Sequence, residues 1–85
     1  MSMSTGNQIK AARVLAEVDQ VTLANEAGVH VNTIRGMEAR GGQTLVAGVD
    51  TALKVQRALE ARGVEFLNHG QPGVRLKSAK PALAE

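Results

Sequence analysis

Asn32 is the side chain in this 85-residue chain whose type and setting point most directly to molecular recognition. Its carboxamide presents an acceptor and a donor in one plane, the arrangement that pairs with N6 and N7 of adenine, and Val31 beside it can touch the methyl group of thymine. Against this stands a plainer reading, in which Asn32 is a polar residue on a solvated helix face and Val31 belongs to the core or to a partner surface. Catalytic chemistry has less to work with. There is no Ser/His/Asp grouping, no phosphate-binding loop and no pair of carboxylates about a pocket, so an enzyme is not expected. The chain has no cysteine, which removes disulfides and thiolate zinc sites. His30 and His69 each lack neighbouring ligands in sequence, so neither a metal nor a cofactor is expected.

The elements that would hold Asn32 are legible in the apolar pattern. Thr5 and Gln8 fit a capping box ahead of a first helix in which Ile9, Ala12, Leu15 and Ala16 recur at helical spacing as far as Val18. Asp19 can cap a second helix, Gln20 to Ala27, with Leu23, Ala24 and Ala27 on one face. Gly28 then falls where a left-handed terminating residue belongs, and Val29 fills the turn. A third helix follows over about 30–39, with Ile34 and Met37 inward and Gly41-Gly42 closing it. Two short helices about a glycine turn are the helix-turn-helix signature, whose second helix lies in the DNA major groove, although an ordinary helical hairpin shares parts of the pattern.

Residues 43–49 are ambiguous: Leu45, Val46 and Val49 suit a short fourth helix that Gly48 weakens. Asp50 or Thr51 caps a clearer helix to Arg62, burying Ala52, Val55 and Leu59, with Gly63 as its terminator. Val64–Leu67 and Val74–Lys77 flank a run of turn residues and read as a β-hairpin. A two-stranded hairpin alone is marginal in water, so Val64, Phe66, Val74 and Leu76 are expected to form an apolar face against the helices, leaving Leu67 for another surface. An open strand edge invites a second copy. These five residues are therefore the expected dimerisation element, the competing view being that the hairpin only caps a monomer core, with Glu65, Arg75 and Lys77 keeping its edge soluble. The expected organisation is a flexible 1–5, a helical domain 6–63, the hairpin 64–77 and a disordered tail 78–85.

Composition is permissive rather than decisive. With 44% hydrophobic and 21% charged residues, the chain matches folded globular domains. Phe66 is its one aromatic residue, which argues against a stacking platform for single strands. Ten Lys/Arg against eight Asp/Glu leave a net charge of +2, too little by itself to imply a nucleic-acid partner. Arg35, Arg40, Lys54, Arg57, Arg62, Arg75, Lys77 and Lys80 all fall after position 30. No apolar run approaches the ~20 residues of a membrane span, and no signal-peptide pattern opens the chain, so a soluble cytoplasmic protein is expected.

The block Asp19–Glu38 resembles the helix-turn-helix of the lambda-repressor/Cro (XRE) family. Gln20, Leu23-Ala24, Ala27-Gly28-Val29, Ile34 and Glu38 carry the motif. The likeness extends upstream to Ala12-Arg13 and downstream to Ala58–Phe66, which is similar to the tail of many small bacterial members. It implies a mainly α fold: a lambda-repressor-like bundle of four to five short helices containing a helix-turn-helix, followed by the C-terminal β-hairpin. It also implies a sequence-specific transcriptional regulator, such as a repressor, that binds double-stranded operator DNA as a homodimer without a cofactor. Carried over residue by residue, Gln20 would meet a phosphate, Val31 and Asn32 base edges, and Thr33 and Arg35 phosphates or neighbouring bases. Gly36 occupies a later recognition position, and Arg40 matches a backbone contact. His30 would cap the recognition helix or touch a phosphate. Arg13 and Glu38 would form a structural pair. The other function these residues allow is a degenerate, antiactivator- or antitoxin-like protein-interaction module that no longer binds DNA.

Overall fold

Thr5 opens the first helix. Its hydroxyl oxygen accepts the Gln8 N–H at 3.3 Å, and the Gln8 side-chain oxygen accepts the Thr5 N–H at 3.2 Å, so two orphan donors of the first turn are satisfied reciprocally. The computed structural model describes residues 5–42, 48–67 and 73–77. They form helices α1 (Gly6–Leu15), α2 (Gln20–Ala27), α3 (Val31–Ala39) and α4 (Val49–Glu60), then strands β1 (Val64–Leu67) and β2 (Gly73–Leu76). The architecture is mainly helical with a small antiparallel hairpin at its C-terminal end. The ambiguous residues 43–47, the hairpin turn 68–72, the N-terminal 1–4 and the tail 78–85 lie outside the described residues.

Several boundaries differ from the sequence reading. α1 stops at Leu15 rather than Val18, because Glu17 takes a left-handed φ of 57° that no continuing helix allows. Val18 instead turns back, donating its N–H to Arg13 O at 3.1 Å and burying its side chain. Leu15, expected on the buried face, is left exposed at this truncated end. α4 begins at Val49, ahead of both expected caps. Gly48 holds the cap position without a side-chain bond, and Asp50 lies inside the first turn, where a negative charge favours the helix dipole. α4 ends at Glu60 instead of Arg62. α2 keeps its expected bounds: Asp19 Oδ1 accepts the Thr22 N–H at 2.7 Å, and Gly28 is left-handed at φ 74°.

One core draws on every layer. Ile9 from α1, Leu23 from α2, Ile34 from α3, Val55 and Leu59 from α4 and Val64 from β1 are fully buried. Each such side chain contributes about 1.5–3 kcal/mol relative to exposure. Phe66 is buried with them, and Val74 packs half-buried alongside. The hairpin register pairs Val64 with Leu76, Glu65 with Arg75, Phe66 with Val74 and Leu67 with Gly73. Directly opposed residues share a face, so Leu76 belongs to the inner face. It nonetheless remains 46% accessible, against the expectation that it packs under the helices. β2 also starts and stops one residue earlier than predicted, and Lys77 N–H closes the open end by donating to Gly63 O at 2.7 Å.

Two contacts that no periodicity foretold fix the ends of the assembly. Gln8 is buried, and its Nε2 donates to Leu67 O at 3.4 Å and Gly73 O at 3.2 Å, clamping the hairpin to α1. Gly6 lies so close to α3 that a Cβ there would sit 2.2 Å from Met37 O. The neighbouring Asn7 N–H donates to Gly41 O at 2.8 Å, seating the start of α1 on the end of α3.

Candidate nucleic-acid interface

α3 is anchored from beneath. Ile34 and Met37 are buried at a three-residue step, which turns Asn32, Arg35, Gly36 and Ala39 to the exposed side. On that side Arg35 Nη1 donates to Asn32 Oδ1 at 3.1 Å. The bond orients the carboxamide and leaves its oxygen a second lone pair. Thr33 and Val31 flank the stripe and are half-buried, Val31 packed against the core. Its burial favours the core role over the thymine contact.

His30 caps α3. Its Nδ1 accepts the Asn32 N–H at 3.0 Å, and the residue is exposed at the head of the helix. No acidic residue lies in the first turn of α3, so the positive end of its dipole is not offset there. Arg40 follows the helix as its C-cap, half-buried.

The frame behind this face is an ion-pair hub. Glu38, its side chain 7% accessible, accepts from Arg13 Nε at 2.7 Å and Nη2 at 3.1 Å. It also accepts from Gln20 Nε2 at 3.2 Å. One carboxylate thus ties α1, α2 and α3. Arg13 further donates to Val18 O at 3.3 Å, and its bond with Glu38 raises its pKa. Sequence reasoning placed Arg13 with Glu38 but assigned Gln20 outward to a phosphate. In the structure the Gln20 amide turns inward, and no apolar spacing could signal that. Neither a protein-family model nor a curated protein matches this chain.

Ion pairing also redraws the charge distribution. Arg62 Nε meets Glu26 Oε1 at 2.7 Å, joining the end of α4 to α2, and Arg75 Nε meets Glu65 Oε1 at 2.7 Å across the hairpin. Each arginine holds its partner carboxyl below the ordinary glutamate range, and the Thr22 N–H and hydroxyl do the same for Asp19. Arg62 and Arg75, read in sequence as part of a basic second half, are therefore committed to carboxylates. Arg35 and Arg40 are the arginines on or beside the α3 face. Among the described residues no group of three or more His, Asp or Glu could hold a metal, and no helix is long and apolar enough to cross a membrane. A groove of about 370 Å³ between Asn7, Ala11 and Val74 has no titratable side chain among the described residues that line it and lies apart from Asn32.

Proposed function

We propose that this chain is a sequence-specific double-stranded DNA-binding transcriptional regulator of the lambda-repressor/Cro helix-turn-helix type, with α3 as its recognition helix. The observation that carries the reading is the exposed Asn32–Arg35 pair on a helix whose opposite face is locked into the core. A carboxamide aligned by its neighbour can pair bidentately with adenine, and an arginine one turn on can reach guanine or a phosphate. His30 stands exposed at the head of α3, where the positive end of the helix dipole favours a phosphate. Val31 supports the helix from below, and Thr33, Gly36 and Arg40 border the same face.

The reading includes a homodimer on a palindromic operator. Two recognition helices related by a two-fold axis suit half-sites about 34–36 Å apart, and Leu76 with Val74 on one face of the hairpin, and Leu67 on the other, offer apolar surface there. Val64 and Phe66 are consumed by the core of a single chain, so they shape the strand rather than meet a partner. Val14, near the end of α1, and Val21, near the start of α2, are both exposed and favour the second reading, a protein-interaction module.

Selection from random duplex DNA, followed by titration at several salt concentrations, tests the proposal. Binding should fall linearly on a log–log salt plot. Asn32→Ala should cost about 1–3 kcal/mol on the selected site and relax preference at one base pair. Recovery of no consensus, together with salt-independent binding, would support the interaction module instead.

A further inference from the structure

Gly36 stands in the middle of α3 without an internal reason. Glycine is the poorest helix former after proline, and it is tolerated where a left-handed φ or a crowded backbone requires it. Neither condition holds here. Gly36 is absent from the positive-φ residues, and a Cβ built on it would meet nothing within 4 Å. Gly6 makes the contrast, since a Cβ there would strike Met37 O. Among the described residues, then, nothing accounts for the weaker helix at Gly36.

Its surroundings indicate what approaches. Gly36 follows Asn32 by four residues and precedes Ala39 by three, so the three share one exposed face. Asn32 is a short side chain whose amide begins one carbon beyond Cβ. It can read a base edge only if the helix backbone comes close to the groove floor. The major groove is about 12 Å wide, and a helix with its side chains is about 10–12 Å across. A bulky residue at 36 would meet the groove before Asn32 arrived.

We infer that Gly36 sets the depth at which α3 enters duplex DNA, and that base reading by Asn32 depends on it. This inference rests on the DNA-binding reading above. Phosphate contacts by Arg35 and Arg40 reach further and depend less on depth, so the residue acts on the preference for the selected site rather than on binding in general.

The test uses the full chain, the duplex recovered by selection, and a random-sequence duplex of equal length. Gly36→Ala and Gly36→Met should both fold, Ala with a melting temperature raised by about 4–8 °C. Gly36→Met should lose about 10-fold or more on the selected duplex and less than about 3-fold on the random one. In that background Asn32→Ala should have little further effect, because coupled residues are non-additive. Gly36→Ala should lie between. Undiminished selectivity in both Gly36 variants, or an Asn32→Ala loss of equal size in both backgrounds, would overturn the inference. Failure of the unsubstituted chain to bind either duplex would instead overturn the reading beneath it.

Discussion

Gly6→Ala tests whether the close seating of α1 on α3 is real. The added Cβ would lie 2.2 Å from Met37 O, 3.0 Å from Gly41 N and 3.2 Å from Glu38 O, all backbone atoms that no side-chain rotation can clear. Ordinary contact begins near 3.4 Å, so the helices must part by roughly 1 Å at this end. That movement would lengthen the Asn7 N–H to Gly41 O bond from 2.8 Å beyond useful hydrogen-bond range. Overpacking of this kind costs about 1–3 kcal/mol, and the lost bond about 1 kcal/mol more. The sum, about 2–4 kcal/mol, should lower the melting temperature by roughly 10–25 °C for a domain of this size. Thermal unfolding followed by circular dichroism, with urea titration for the free energy, measures it. A Gly6→Ala protein that melts within about 2 °C of the parent, well inside the shift that 1 kcal/mol produces, would refute the reasoning.

Removing the Glu38 carboxylate should have a comparable effect from another direction. Glu38→Ala strands a largely buried Arg13 and should cost about 3–5 kcal/mol in urea unfolding, whereas a loss below about 1 kcal/mol would place the pair among weak surface bridges. Acid should destabilise the fold. Asp19, Glu26 and Glu65 are held below their ordinary 3.8 and 4.5, and a carboxylate with a depressed folded pKa contributes stability above its unfolded pKa and loses it as pH falls through the folded value. Urea midpoints should therefore hold steady down to about pH 5 and decline below about 4.5; a midpoint rising on acidification would contradict this. At the hairpin, Leu76→Asp should convert a dimer to a monomer by light scattering, and identical masses for both proteins would remove this edge from the interface. Truncation from Val64 onward is no substitute, since it deletes core residues.

The helices were legible because their signals are local. Asp19, Gly28 and the Thr5–Gln8 box act within a few residues, and each is found as read. The buried faces of α2 and α3 followed from spacing alone. Where tertiary contacts decide, the reading slipped. Val18 is drawn into the core and Glu17 turns left-handed, so α1 ends early. Leu76 has the right parity for burial but lies at the margin of the sheet, and alternation cannot tell a covered strand from an uncovered end. Gln8 looked complete as a capping residue, and its second task at Leu67 and Gly73 spans 59 and 65 positions. At the candidate interface, Asn32 and Arg35 were readable as residue types, and their mutual bond follows from helical spacing. The inward turn of Gln20 was not, because a glutamine at a helix start suits either direction.

The central claim is that duplex DNA meets the exposed face of α3. Amide chemical-shift mapping of the isotope-labelled chain, titrated with the duplex recovered by selection, addresses it directly. The account predicts the largest perturbations at His30, Asn32, Arg35, Gly36 and Arg40, with the side-chain amide of Asn32 shifting in step and the hairpin outer face around Glu65 and Arg75 unaffected. Perturbations confined to the hairpin or to the α1–β2 groove, with α3 unchanged at saturating duplex, would contradict it.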